Sequence, residues 1–246
     1  MRNLRRGGIG GGAAALLIVL WGGACGAEPQ PATVLPVPVE TTTESSTVAP
    51  VRATAVVRVL ILGTSITAGQ GLDPDSAYPA VLQRLADSVG YRALVVAAGL
   101  SGETSAGALR RVDWLLRDRA DLVVIETGAN DGLRGLQVDT TRANLAGIIR
   151  KVRSANPTVR VVLAQMEAPT NLGRHYTRDF HDAFLAVARA EQVTLIPFFL
   201  EGIAGVPDLN QDDGIHPNEE GARRAARNMW KALAPLLRTL PGVTIR

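Results

Sequence analysis

The stretch that decides the fold is Val56-Val57-Arg58-Val59-Leu60-Ile61-Leu62-Gly63. It is short, rich in β-branched and apolar residues, and it stops at a glycine. This pattern is typical of a strand that is buried on both faces of a parallel sheet. Comparable apolar runs recur along the chain and predict four further strands, at 92–97, 122–127, 159–164 and 193–196.

Segments with the 3.6-residue spacing of amphipathic helices lie between and after these runs. They predict helices over 78–89, 106–117, 141–153, 178–190 and 217–237. Regular alternation of strands and helices indicates an α/β fold, in which right-handed crossovers place helices on both faces of the sheet. We therefore predict a three-layer α/β/α sandwich around a five-stranded, parallel, flavodoxin-like sheet, with its ligand site beyond the carboxyl ends of the strands.

Three residues with useful chemistry follow the first three predicted strands. Ser65 could be a nucleophile, and the Gly102 N–H and the Asn130 side chain could stabilise an oxyanion. Each has an ordinary alternative when taken alone. Ser65 and Gly102 could be turn residues, and Asn130 lies in an Asn-Asp-Gly turn signal.

A serine nucleophile needs a base, and the chain has three histidines. His175 and His181 lie beside or on the predicted helix 178–190 with ordinary polar spacing, which favours surface or partly packed positions. His216 is different, because Asp213 precedes it by three residues and could favour its charged form. Pro217 follows it and suits the first turn of a helix, so an Asp/His/Pro helix-entry turn explains the same residues equally well.

Together, four blocks of sequence resemble the SGNH (GDSL) hydrolases, in the right order and over about 57–237. They are GTSITAGQG at 63–71, AGLSGET at 98–104, GANDGLRG at 128–135 and DGIHP at 213–217. The resemblance is strongest to the secreted arylesterase, acyl-CoA thioesterase and lysophospholipase branch. It implies Ser65 as nucleophile, His216 as general base and then acid, and Asp213 as the residue that orients it. It also implies an oxyanion hole made of the Ser65 N–H, the Gly102 N–H and the Asn130 side chain.

The resemblance further implies that loops 131–136 and 168–176 border an acyl-binding cleft, for which Leu133, Leu136 and Leu172 are the candidate lining residues. The expected substrate is a small-molecule carboxylic ester of the aryl, acyl or lysophospholipid type, and a thioester is also open. No cofactor is expected. Two alternatives remain: a carbohydrate O-acetylesterase of the same fold, and a non-catalytic surface lipoprotein.

One position departs from the family pattern. The first block usually contains Gly-Asp-Ser, and here Thr64 replaces the aspartate. We expect a buried carboxylate that supports the nucleophile turn to be missing, and therefore a reduced activity or an altered pH dependence.

The N-terminal part predicts export. Residues 1–25 combine arginines with a short apolar run that is typical of a signal peptide, and Cys25 resembles a bacterial lipoprotein acylation site. An ordinary signal peptide with an incidental cysteine is the alternative. Residues 26–55 are rich in Pro and Thr and predict a disordered linker, which leaves 56–246 as the hydrolase domain. We expect a monomer at the cell surface or in the periplasm, anchored to a membrane by lipid.

Composition excludes several other classes. Removing the three arginines of residues 1–25 leaves 23 basic and 23 acidic residues, so nucleic-acid binding has no electrostatic support. Three scattered histidines and one cysteine argue against a metal site. The chain contains neither Gly-x-Ser-x-Gly nor Gly-Lys-Ser/Thr, which argues against an α/β-hydrolase and a P-loop protein.

Overall fold

The computed structural model describes residues 56–240. The predicted signal peptide, Cys25 and the linker lie outside these residues. Five strands form one parallel sheet in the order β2-β1-β3-β4-β5. They are β1 Val57–Gly63, β2 Ala93–Gly99, β3 Leu122–Glu126, β4 Arg160–Ala164 and β5 Thr194–Ile196. The predicted α/β class and the five parallel strands are confirmed.

The strand register aligns the carboxyl ends of the three strands that matter for the site. Gly63 at the end of β1 lies opposite Gly99 of β2 on one side and Glu126 of β3 on the other. The polar loops that follow these strands therefore start at one edge of the sheet. The interiors of β1 and β3 are almost fully buried, because helices cover both faces.

Seven helices accompany the sheet in the described residues. They are α1 Ser65–Ala68, α2 Tyr78–Ser88, α3 Ser105–Leu115, α4 Ala129–Leu133, α5 Val138–Ala155, α6 Arg174–Ala190 and α7 Glu219–Arg238. The α2 helix packs against α7, while α3 packs against α5 and α5 against α6. Within residues 56–240, no helix combines the length and the apolar character that a membrane crossing requires.

Two local features differ from what the sequence suggested. The Asn130 block, for which a turn was the alternative interpretation, forms the short helix α4, because the Asp131 and Gly132 N–H groups bond back to the Gly128 carbonyl at 3.0 Å. The last helix begins at Glu219 and not at Pro217. Asn218 is its N-cap and accepts a hydrogen bond from the Gly221 N–H at 3.0 Å.

Candidate active site

Ser65 is the first residue of α1, directly after the end of β1. The chain turns sharply here, since a Cβ at Gly63 would clash with the Thr67 side chain and lie 2.6 Å from a Glu126 oxygen. Glycine avoids that clash and lets strand and helix meet in a tight turn. Ser65 is thereby held at the carboxyl edge of the sheet, where it is largely buried.

His216 and Asp213 lie in the loop that precedes α7. The Gln211 N–H donates to the His216 carbonyl at 2.8 Å, and this bond closes the loop. The Nε2 atom of His216 lies 2.9 Å from Ser65 Oγ. Its Nδ1 atom lies 2.6 Å from Asp213 Oδ2. The structure thus brings together three side chains that sequence analysis grouped as one site, although 151 positions separate Ser65 from His216.

The Asp213 carboxylate is held in its ionised form. The hydrogen bond with the His216 side chain is the largest of the interactions that lower its pKa to about 2. The backbone N–H groups of Ile215 and His216 also donate to Asp213 Oδ1, both at 2.9 Å. An ionised carboxylate can only accept, so Nδ1 of His216 carries the proton. Nε2 is then free to accept the Ser65 hydroxyl proton.

The Asn130 side chain faces the loop that carries Gly102. Its Nδ2 donates one hydrogen bond to the Glu103 carbonyl at 3.0 Å, which leaves its second N–H available to a ligand. Gly102 has a φ of +75°, a conformation that favours glycine. Arg134 donates to the Gly102 carbonyl at 2.9 Å, so α4 contacts this loop at two points.

Asp131 anchors α4 to the start of α3. Its buried carboxylate accepts from the Ser105 N–H at 2.7 Å and from the Ser105 hydroxyl at 2.6 Å. The Thr141 hydroxyl donates to it at 3.2 Å. These bonds orient Asn130, the preceding residue, relative to the loop before α3.

A partly buried ion pair that no sequence motif predicted connects the same loop to the sheet. The Arg111 Nε lies 2.7 and 2.8 Å from the two carboxylate oxygens of Glu103. Arg111 Nη2 also donates to the carbonyls of Gly63 at 3.1 Å and Ala98 at 2.8 Å. One guanidinium thus joins the ends of β1 and β2 to the Gly102–Glu103 loop. A local motif could not reveal it, because Gly63 lies 48 positions from Arg111.

The expected loss of a carboxylate at the nucleophile turn is wrong. Glu126, the last residue of β3, is fully buried and accepts from the Thr64 N–H and the Thr64 hydroxyl, both at 3.0 Å. The Thr67 hydroxyl donates to it at 2.6 Å. Burial raises the pKa of Glu126 to about 7, against the opposing effect of these hydrogen bonds. The signal in the sequence was a charged residue that ends an otherwise apolar, buried strand.

The other two histidines contact carboxylates outside this group. His175 pairs with Asp179 at 2.6 Å, and His181 pairs with Glu167 at 2.7 Å. Over the described range 56–240, no cluster of three or more His, Cys, Asp or Glu side chains has the arrangement of a metal site.

The three candidate cleft leucines are all partly solvent-exposed, with Leu133 at 41%, Leu136 at 40% and Leu172 at 37%. A Cβ at Gly135 would lie 3.7 Å from Leu172, so the loops around 135 and 172 adjoin. A groove of about 750 Å³ runs from Leu136 between α5 and α6, and several charged side chains line it. The pocket beside Ser65 and His216 is much narrower. The larger groove therefore does not coincide with Ser65.

Comparison with known proteins points to one family. Residues 61–224 match the model of the GDSL-like Lipase/Acylhydrolase family. The chain is 44% identical to Esterase TesA of Pseudomonas aeruginosa over 181 residues, which cover 73% of this chain and 89% of the relative. It is 38% identical to the Thioesterase 1/protease 1/lysophospholipase L1 of Escherichia coli K12 over 187 residues, which cover 76% and 88%.

Solved structures agree with this result. A crystal structure of TesA superimposes with a TM-score of 0.70 at 42% identity and covers 73% of this chain and 99% of its own. The psychrotrophic esterase EstA from Pseudoalteromonas sp., inhibited by monoethylphosphonate, has a TM-score of 0.70 at 34% identity and covers 74% and 99%. The similarity thus spans nearly the whole of each solved relative.

Proposed function

Because the chain belongs to the GDSL-like lipase/acylhydrolase family, we propose that it hydrolyses carboxylic esters through an acyl-enzyme on Ser65. The observation that carries this proposal is the continuous chain of hydrogen bonds from Ser65 Oγ through His216 to Asp213. It gives a weak nucleophile a base, and it gives the base a group that orients it.

Acylation begins when His216 Nε2 accepts the Ser65 proton and Oγ attacks the ester carbonyl. Negative charge then develops on the carbonyl oxygen, where the Ser65 N–H, the Gly102 N–H and the free N–H of Asn130 donate to it. The tetrahedral intermediate collapses as His216 returns its proton to the leaving alcohol or phenol. His216 next deprotonates water, which attacks the acyl-enzyme. The bond between the acyl group and Ser65 Oγ then breaks as His216 returns the proton to Oγ, and the carboxylic acid is released.

The substrate class we propose is an aryl, acyl or lysophospholipid ester, with thioesters as further candidates. Relatives with the names esterase and thioesterase/lysophospholipase support this range. The partly exposed Leu133, Leu136 and Leu172 offer apolar surface to an acyl chain.

The test is the hydrolysis of p-nitrophenyl esters from acetate to palmitate by the full chain. Ser65→Ala should lose most of the rate, on the order of 10⁶-fold in the subtilisin precedent. Ser88→Ala is the matched control, since Ser88 is exposed and its hydroxyl donates to the Leu85 carbonyl within the same helix. Turnover that survives Ser65→Ala would refute the proposal.

Chain-length preference separates the enzyme classes. A lipid esterase should prefer medium or long acyl groups, and Leu172→Ala should raise KM for octanoate while leaving acetate unchanged. Leu94→Ala is its control, because Leu94 is an exposed leucine on β2. Strict preference for acetate would favour the O-acetylesterase, and a folded chain without turnover would favour the non-catalytic lipoprotein.

We also propose that Cys25 is acylated, so that residues 26–55 link a monomeric hydrolase domain to a membrane outside the cytoplasm. The placement of a single cysteine just after an apolar run supports it. Labelled palmitate should enter the wild-type chain in bacterial cells, and Cys25→Ser should abolish labelling. Equal labelling of both chains would refute acylation at Cys25.

A further inference from the structure

We propose that Glu126 is a positioning residue whose carboxylate, supplied by β3, supports the nucleophile turn in place of a carboxylate at position 64. In its ionised form it orients Ser65, and its protonation therefore adds a second proton-dependent step to the nucleophile's reactivity. This inference rests on the proposed function of Ser65.

The contacts place Glu126 under the turn and not in the cleft. Its carboxylate bonds to the residue before Ser65 through both backbone and side chain, and to Thr67 two residues after it. Both flanks of the nucleophile thus depend on one carboxylate from another strand. Since Glu126 has no solvent-exposed surface, it acts through the turn and not on the substrate.

The donors around Glu126 suit the ionised state. The Tyr78 and Thr67 hydroxyls lie 2.7 Å apart, so Tyr78 can donate to Thr67 while Thr67 donates to Glu126. The Thr64 N–H and hydroxyl supply two more donors. A protonated Glu126 accepts fewer bonds, and at least one of these hydroxyls must rotate away.

Few charged groups near Glu126 affect the balance between its ionised and protonated forms. Its hydrogen-bonding neighbours are Thr64 and Thr67 at the β1–α1 junction, which do not titrate. On α2 the neighbour is Tyr78, whose own pKa is raised well above its usual value by burial and by Glu126. No lysine or arginine is among the groups that shift Glu126. With its pKa raised to about 7 by burial, the carboxyl changes charge near neutral pH.

The test measures the reactivity of Ser65 directly, with a fluorophosphonate probe applied to the full chain between pH 5 and 9. Wild-type labelling depends on ionised Glu126 as well as on His216 as the base, so the logarithm of its rate should rise more steeply with pH around 7 than it does in a variant without this carboxylate. Glu126→Gln retains the size of the side chain and one acceptor. It should lower the rate at pH 8 about tenfold and remove this added steepness.

Thr67→Val provides a second variant with the carboxylate intact. It removes the 2.6 Å donor to the ionised form, so the acid limb should move to higher pH by on the order of half a unit or more. If circular dichroism shows that Glu126→Gln is unfolded, Thr67→Val alone tests the proposal. The proposal is overturned if the folded Glu126→Gln labels at the wild-type rate or keeps the wild-type slope, or if Thr67→Val leaves the acid limb unmoved.

Ester turnover measured in parallel separates the two claims. Wild-type labelling at Ser65 without ester hydrolysis would refute the proposed function, while the labelling slopes still decide the role of Glu126. In an active enzyme, Glu126→Gln should lower kcat and leave KM within about twofold, since Glu126 touches no substrate. A rise in KM at unchanged kcat would contradict a positioning role.

Discussion

Thr64 and Glu126 are joined twice, because the backbone N–H and the hydroxyl of Thr64 each donate to a different oxygen of the Glu126 carboxylate. The threonine that departs from the family pattern therefore serves as a donor to a buried carboxylate 62 positions away. The turn that presents Ser65 is therefore still supported by a carboxylate, and β3 supplies it.

Glu126 should make folding stability depend on pH. The carboxyl has a pKa of about 7 in the folded chain, above its ordinary value of 4.5. Between these values the folded chain binds a proton that the unfolded chain has lost, so the free energy of unfolding falls as pH rises and levels off above about 7. The full effect is about 3 kcal/mol at 1.36 kcal/mol per pKa unit.

Urea denaturation at pH 5 and pH 8 checks this prediction. Wild type should lose most of that stability between the two pH values, and Glu126→Gln should lose much less. Glu219→Gln, on the exposed first turn of α7, is the control and should follow wild type. Parallel behaviour of wild type and Glu126→Gln would show that the carboxyl titrates in its ordinary range.

Asp213→Asn should lower kcat by about 10⁴, the size of effect in the chymotrypsin precedent. Asparagine can donate to Nδ1, which moves the histidine proton to Nε2 and removes the base that faces Ser65. Steady-state kinetics with p-nitrophenyl butyrate measures the effect. Asp179→Asn disrupts a similar Asp–His pair outside the site, with the same 2.6 Å distance, and should retain wild-type kcat. Equal losses in both variants would argue against a special role for Asp213.

Asn130→Ala should lower kcat by roughly 10²–10³, because it removes a donor to the developing oxyanion. KM should change little, since that charge develops only in the transition state. The same kinetic assay separates the two constants. Asn228→Ala is the control, because Asn228, on α7, donates to the backbone carbonyls of Phe199 and Glu201 and not to the Gly102–Glu103 loop. An Asn130→Ala enzyme with full kcat would exclude the side chain from the oxyanion hole.

Arg111→Met should destabilise the fold by about 3–5 kcal/mol, because it leaves the Glu103 carboxylate buried without its partner. The Gly102–Glu103 loop also loses its bonds to β1 and β2, so kcat should fall with stability. Chemical denaturation measures the first effect. The control is Arg142→Met, which removes an exposed ion pair with Asp139 and should cost less than about 1 kcal/mol. Similar losses of stability in the two variants would contradict the structural role that we assign to Arg111.

The sheet was predictable because each strand has a local signature. The apolar runs of β1 and β3 end at glycines or polar residues, and alternation with amphipathic helices leaves few other topologies. The Asp213–His216 pair was also visible, since three residues of one loop can contain both partners. The contact of this pair with Ser65 could be predicted only from the family resemblance, because no local sequence pattern connects positions 65 and 216.

Other features had no local signature. Helices α1 and α4 span only four and five residues, too few to show a helical period. The start of α7 was misplaced because Pro217 was taken as its first turn, although Asn218 supplies the cap. Glu126 and Arg111 act through partners on other elements of the fold, which only the folded chain brings within reach.

The most direct measurement of the central claim is trapping of the acyl-enzyme. The full chain is mixed with p-nitrophenyl butyrate, quenched in acid within milliseconds, and digested for mass spectrometry. We predict that one butyryl group is found on Ser65, and that none is found there in Ser65→Ala or before substrate is added. Butyryl on another side chain, such as Ser101 or Ser105, or rapid turnover with no covalent adduct, would contradict the mechanism.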